Sequence, residues 1–323
     1  MKLLTYIVVG AFAFASPLMA AELPGPVVSV DWLAANQKDV VVLDVRNDPD
    51  EFTQAPEYSV DEKTGEKTLE TLGGHIPGAR LVDFDKVRVS REIEGKKIDK
   101  LLPSADQVQA LMQSLGINAG DTLVITARSD DPGQLDLATR MYWTLKSYGE
   151  KHMAVLDGGN AAWAGAGQAV STDPMPEMKA GDWKAAPLDS AWLAETSQIH
   201  PGSDEAMIVD SRPLPQYLGM SFKKPAVAAG GHVAGALNFS PDIQAVQQGM
   251  ALKFMSPAQY KSVLAGVGIQ PGDATVVYCN TGHMASGAWF VLSEIMGLPN
   301  VRLYDGSMHE WTTLGHPVVS NFD

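Results

Sequence analysis

A chain of 323 residues is long for one ordinary domain and suits two of roughly 150 residues each. Its 45% hydrophobic fraction, with 7 Trp, 9 Phe and 8 Tyr, is enough for real cores. The balance of 24 Lys+Arg against 38 Asp+Glu leaves a net charge of -14, which argues against nucleic acid or anionic lipid as a partner; a small anionic substrate would need a local positive site set against that field.

The chain opens with Lys2, an apolar run over residues 3–15, and then Ser16-Pro17-Leu18-Met19-Ala20-Ala21. This is the layout of a secretory signal peptide cut after Ala20 or Ala21; the alternative is an anchor that stays attached. The expectation is a mature protein exported to a bacterial periplasm, with no membrane partner once residues 1–21 are removed. In that oxidising compartment a single cysteine, Cys279, forms no internal disulfide, so its thiol is either well buried or kept for its reactivity.

From there the chain runs through one set of signals twice. Val30-Asp31-Trp32-Leu33-Ala34 is matched by Ser190-Ala191-Trp192-Leu193-Ala194, and the apolar run ending Asp44-Val45-Arg46 by the run ending Asp210-Ser211-Arg212. Gly74-His75-Ile76-Pro77-Gly78-Ala79 is matched by Gly231-His232-Val233-Ala234-Gly235-Ala236. Helix starts with capping-box spacing follow, Ser104 with Gln107 and Ser256 with Gln259. Leu156-Asp157-Gly158-Gly159 and Tyr304-Asp305-Gly306-Ser307 close the two copies. Ordered matches of this kind mark a duplicated domain. The expected division is residues 22–166, a linker over 167–187 rich in Pro and Gly, and residues 188–323. Within each copy, short β-branched runs such as residues 40–43 and 122–125 alternate with amphipathic segments such as 105–115 and 135–148. That alternation predicts an α/β fold of two doubly wound parallel sheets, with ligands beyond the carboxyl ends of the strands.

Cys279 stands at such an end. Residues 275–278 read as a buried strand, 280–284 as a loop, and the spacing from Ala285 onward as a helix. A loop of this kind aims successive backbone N–H groups and a helix N-terminus at one spot, which favours a thiolate and holds an anion on the sulfur. The alternative is a small apolar Cys capping a strand. The repeat weighs against it: the first copy has Ala127 in the matching place, and its loop, Arg128-Ser129-Asp130-Asp131-Pro132-Gly133, has lost the Gly-His-Met character. One copy can do thiol chemistry and the other cannot.

On these motifs, the two Asp-x-Arg segments, the His75-Ile76-Pro77-Gly78-Ala79 segment, Tyr304-Asp305-Gly306-Ser307 and the Cys279 loop, the chain resembles the tandem-domain sulfurtransferases of the rhodanese family. The resemblance covers nearly the whole mature chain and implies an inactive N-terminal rhodanese-like domain packed on a catalytic C-terminal one. It implies that Cys279 takes a sulfane sulfur from a small anionic donor, carries it as a persulfide, and passes it to cyanide or a thiol, without metal or organic cofactor. Residues 280–285 (Asn280, Thr281, Gly282, His283, Met284, Ala285) and Arg212 are the expected substrate-binding groups. His75, His232 and Gln216 are expected accessories, and Lys223 is a further candidate. The chain departs from thiosulfate-using members, which carry Arg and Lys directly after the Cys, where Asn280 and Thr281 stand, and an Arg before Tyr217-Leu218-Gly219, where Gln216 stands. Mercaptopyruvate-using members have a hydroxyl two places after the Cys, which Thr281 imitates, and a relay His matching His75. Thiosulfate is favoured as the donor an exported enzyme meets. For Arg212 the alternative is an internal salt bridge, since Arg46 holds the same place in the first copy, and for each His it is a structurally satisfied ring.

Rival functions are a Cys-dependent phosphatase, which needs an Arg where Ala285 stands; a thiol–disulfide oxidoreductase, which needs a second cysteine; and a sulfur-carrier module that does not turn over a small donor.

Overall fold

In the computed structural model, residues 21–65, 67–203, 205–270, 272 and 274–322 are described. The expected leader therefore lies, except for Ala21, outside the described residues. No helix among the described residues is long and apolar enough to cross a membrane.

The first copy contributes strands β1 (Val27–Val28), β2 (Val41–Arg46), β3 (Arg80–Asp83), β4 (Leu123–Thr126) and β5 (Met153–Leu156), which pair in the order β1-β5-β4-β2-β3. Every pairing is parallel. The second copy repeats the plan with β6 (Leu193–Ala194), β7 (Met207–Asp210), β8 (Leu237–Asn238), β9 (Thr275–Tyr278) and β10 (Val301–Tyr304), in the order β6-β10-β9-β7-β8. These pairings are parallel as well. Strands of a parallel sheet covered on both faces read as continuous apolar runs, and β4, β5 and β9 are buried at every position.

The helices of the first copy are α1 (Val30–Asn36), α2 (Ala105–Ser114), α3 (Pro132–Ser147) and α4 (Gly159–Gly165); those of the second are α5 (Leu214–Tyr217), α6 (Pro257–Gly266), α7 (Met284–Trp289) and α8 (Ser307–Thr313). Both expected capping boxes form, at Ser104 with Gln107 and at Ser256 with Gln259. The helix α3 differs from its expected amphipathic pattern, because it is buried on nearly all sides. One face lies on its own sheet and the other on α7, so a single apolar core containing Met141, Tyr142, Trp143, Trp289 and Phe290 runs through both halves. Polar ties brace the seam: Lys146 Nζ lies 2.7 Å from Glu294 Oε2, Tyr142 Oη donates to the same carboxylate, and Trp143 Nε1 donates to Trp192 O.

Residues 167–187 carry no helix or strand, but the chain there is strapped to the first domain, at α2 and the turn after it, rather than hanging free. Gly181 N–H donates to Gln113 O and Trp183 N–H to Ile117 O, with the Trp183 ring buried. A side chain at 181 would stand 1.9 Å from Ile117 O, which explains the glycine.

Each half also extends a hairpin over the other. The Val89–Ile93 and Lys96–Leu101 hairpin of the first copy leads to Leu102, whose N–H donates to Asp305 Oδ2 in the second. The Val246–Gln248 and Ala251–Lys253 hairpin of the second copy leads to Phe254, whose N–H donates to Asp157 Oδ1 in the first. Asp157 and Asp305 hold the same place in the repeat. The exchange is reciprocal, and it brings first-copy residues over the Cys279 loop.

Candidate active site

Cys279 follows β9 directly and is 2% exposed. The loop after it is closed by Ser307, whose Oγ accepts the N–H of Cys279 and that of Gly282, each at 3.1 Å, and donates to Tyr304 O at 2.8 Å. Two further bonds come from the start of α8, where Met308 N–H donates to Cys279 O and His309 N–H to Asn280 O. The first copy makes the same pair, from Asn160 to Ala127 O and from Ala161 to Arg128 O. What differs is the residue at the turn. Gly159 stands there in the first copy with φ +52°, and Ser307 in the second with φ +51°. A serine held in the left-handed region is strained by ~1 kcal/mol or more, and such strain persists where the side chain is needed. Here that side chain gathers both ends of the cysteine loop.

Gly282 has φ +71°, and a Cβ there would lie 2.6 Å from Arg140 Nη1 and 2.7 Å from Asp305 O. Only glycine allows so close an approach. Arg140, from α3 in the first copy, donates through Nη1 to Gly282 O at 3.0 Å and pairs with Asp305 Oδ1 at 2.6 Å. Arg128, a first-copy loop residue that could have crossed to the cysteine, turns instead to Glu51 and Asp130.

Of the expected binding residues, Asn280, Thr281, Gly282 and Ala285 are buried around Cys279. Gln216 joins them, its Oε1 accepting Asn280 Nδ2 at 2.8 Å. Met284 opens α7 and lies against Gly133 of the first copy. His283 keeps some exposed surface, but its Nε2 is buried with no hydrogen-bond partner among the described residues, and its ring lies 4.9 Å from that of Phe84. Burial, then the charges of Arg88, Arg140 and Lys223, push its pKa down to about 3, so the ring is neutral.

Arg212 is fully buried in the internal ion pair that was its alternative reading. Its Nε lies 2.9 Å and its Nη2 2.5 Å from the Asp210 carboxylate, and Nη2 also donates to Gly231 O. Burial pulls its pKa down, but the carboxylate outweighs burial and holds it above the ordinary value. Arg46 with Asp44 and Gly74 O is the same device in the first copy. The two histidines of the repeated motif are equivalent as well. His75 stacks on Phe52 and shares Nδ1 with Phe52 O; His232 stacks on Tyr217 and shares Nδ1 with Tyr217 O. These placements hold loops in both copies alike.

Sequence reasoning missed Ser307, Arg140 and Asp305, which hold the Cys279 loop, and Arg88, whose charge acts on His283. Ser307 was legible as a serine where its repeat partner is glycine. Arg140 and Arg88 carried no signal, because the bond from Arg140 to Gly282 O and the approach of Arg88 to His283 arise only when the halves pack. A cavity of about 610 Å³, lined by Tyr142, Glu150 and Asn300 among others, does not include Cys279 or its loop. Among the described residues no cluster of His, Cys, Asp and Glu could hold a metal ion.

The profile of the Rhodanese-like domain matches residues 29–166 and 193–314. A protein of Saccharopolyspora erythraea provisionally named a thiosulfate sulfurtransferase is 27% identical over 259 residues, covering 78% of this chain and 87% of that one. The 3-mercaptopyruvate sulfurtransferase of Escherichia coli K12 is 26% identical over 287 residues, covering 88% and 94%. The crystal structure of the Escherichia coli 3-mercaptopyruvate sulfotransferase superposes with a TM-score of 0.69 at 22% identity, over 88% of this chain and 98% of that one.

Proposed function

The chain belongs to the rhodanese family, as a sulfurtransferase built of two rhodanese-like domains, and from that premise we propose that Cys279 moves sulfane sulfur as a persulfide from thiosulfate to cyanide or a thiol. The observation that carries this reading is the asymmetry of the repeat. The same strand end, held by the same backbone bonds, carries Cys279 bridged by Ser307 in one half and Ala127 beside Gly159 in the other.

In the first step the Cys279 thiolate attacks the outer sulfur of thiosulfate. A new S–S bond forms, the donor's S–S bond breaks, and sulfite leaves with the electron pair. In the second step cyanide attacks the terminal sulfur of the persulfide, thiocyanate departs, and the thiolate is restored. In both steps negative charge sits on the reacting sulfur, so backbone N–H donors of the 280–285 loop and nearby cations would be the groups that stabilise it. A second reading, 3-mercaptopyruvate as donor, is supported by Thr281, a hydroxyl two places after the cysteine, and by the absence of basic residues at 280 and 281.

The test is turnover of the purified mature protein with cyanide, supplied with thiosulfate or with 3-mercaptopyruvate, against a Cys279→Ser control. Thiocyanate production with thiosulfate that vanishes in Cys279→Ser is the expected result. A higher kcat/KM with 3-mercaptopyruvate would reverse the donor assignment. No turnover with either, but a gain of one sulfur atom in intact mass, would make the protein a carrier and sink the enzymatic reading.

A further inference from the structure

The Cys279 loop faces a concentration of positive charge that comes largely from the other half of the molecule. Arg140 has a fully buried side chain, and its Nε and Nη2 have no hydrogen-bond partner among the described residues. Arg88 lies with its guanidinium 3.9 Å over the Phe84 ring, which in turn touches His283, and its Nε is also buried and unpartnered. Lys223, on an exposed loop of the second half, stands close enough for its charge to act, with those of Arg88 and Arg140, on the His283 ring. Exposed Lys100 feels Arg88 and Lys223 in the same way.

Against these stand two carboxylates. Asp305 is engaged by Arg140 Nη1 and by Leu102 N–H, and Asp85, 3.3 Å from Arg88 Nη2, has a side chain 89% exposed to solvent. The balance is positive, within a chain of net charge -14. Buried guanidinium donors without acceptors are costly, and a site that keeps several of them against the loop of a nucleophile suits an anion.

We propose that Arg88 and Arg140, from the half without a cysteine, form with Lys223 the anion subsite of the Cys279 centre, holding the charged end of a small oxyanion whose sulfur meets Cys279. The inference rests on Cys279 being the reacting group. It also accounts for the neutral residues Asn280, Thr281 and Gln216 at the places where the family resemblance implies cations. The charge has moved from the cysteine loop to the opposite domain. The half that lost its nucleophile would thus supply recognition, and the specificity-determining residues would be Arg88 and Lys223, with Arg140 shared between recognition and the hold on Gly282.

Cys279 is the single cysteine, so alkylation reads this site alone. Iodoacetate and iodoacetamide are nearly equal in size and differ by one charge. The ratio of their rates on the wild-type protein should exceed that on a free model thiol. Arg88→Gln and Lys223→Gln should each lower that ratio by about threefold or more, the order expected for one charge at a partly screened mouth. The thiosulfate KM should rise in the same variants by more than kcat falls. Lys223 is exposed, so its variant keeps the test readable even if Arg88→Gln folds poorly. A ratio unchanged in Lys223→Gln and in folded Arg88→Gln would overturn the subsite. Because alkylation needs neither donor nor acceptor, that outcome is distinct from a failure of sulfur transfer, which would leave the ratio to be read on its own.

Discussion

Ser307 shows how one side chain sets the shape of the Cys279 loop. Its hydroxyl joins Cys279 N–H, Gly282 N–H and Tyr304 O, and the backbone accepts a left-handed turn to put it there. Replacing it with alanine would leave two buried N–H groups without an acceptor. We expect Ser307→Ala to lose about 2 kcal/mol of stability in urea unfolding and to lower kcat/KM at least tenfold with Cys279 still present. His283 makes the complementary point about charge. Its folded pKa of about 3 lies below the ordinary 6.5, so its contribution to stability is complete above pH 6.5 and is lost as pH falls toward 3. The wild type should lose stability more steeply over that window than His283→Gln, and neither protein's activity profile should show a His283 limb near neutrality.

At the scale of elements, the seam between α3 and α7 governs the loop. Thr139 Oγ1 and Ser286 Oγ meet at 2.9 Å, and Ser286 Oγ donates to His283 O at 2.6 Å, so the first copy's helix is tied into the second copy's cysteine loop. Asp136 sits in the same contact, where a Cβ on Gly287 would come within 2.1 Å of its Oδ1. Burial outweighs the opposing hydrogen bond from Thr139 and, with a smaller push from Asp131, holds the Asp136 carboxyl well above the ordinary carboxylate range. Its contribution to stability is therefore complete below the usual aspartate pKa and is lost as pH rises through the raised value. Asp136→Asn, which cannot ionise, should lose less stability than the wild type between about pH 4 and pH 8, as read by Tm across that range. Equal slopes would mean that the carboxyl is not buried as described. The capping boxes and the strand ending at Tyr278 were legible in the sequence, since each depends on neighbours a few residues apart. The all-round burial of α3 was not, because its second buried face is made by a partner helix far along the chain.

For the whole molecule, the two domains are one structural unit, joined by a shared core and by the hairpins each lends the other. The shared core of Tyr142, Trp143, Trp289 and Phe290, and the hairpins each half lends the other, predict that residues 188–323 expressed alone will be insoluble or unfolded. A soluble fragment with full sulfur transfer would refute this. Export remains a proposal from residues 1–21. Mass analysis of the mature protein from a periplasmic extract should place its N-terminus at Ala21 or Glu22.

The duplication, the parallel-sheet class, the strand end that carries Cys279 and the difference between the two loops were all determined by the sequence, because each is written in local patterns that can be compared between copies. The commitment of Arg212 to Asp210 was open from sequence, with the matching Arg46 as its hint. The crossing of Arg140 to Gly282, the approach of Arg88 to His283 and the role of Ser307 were decided only in the tertiary structure. These contacts join residues well over a hundred positions apart, or depend on a backbone angle at one turn, and their energies exist only once the two halves have buried a common face.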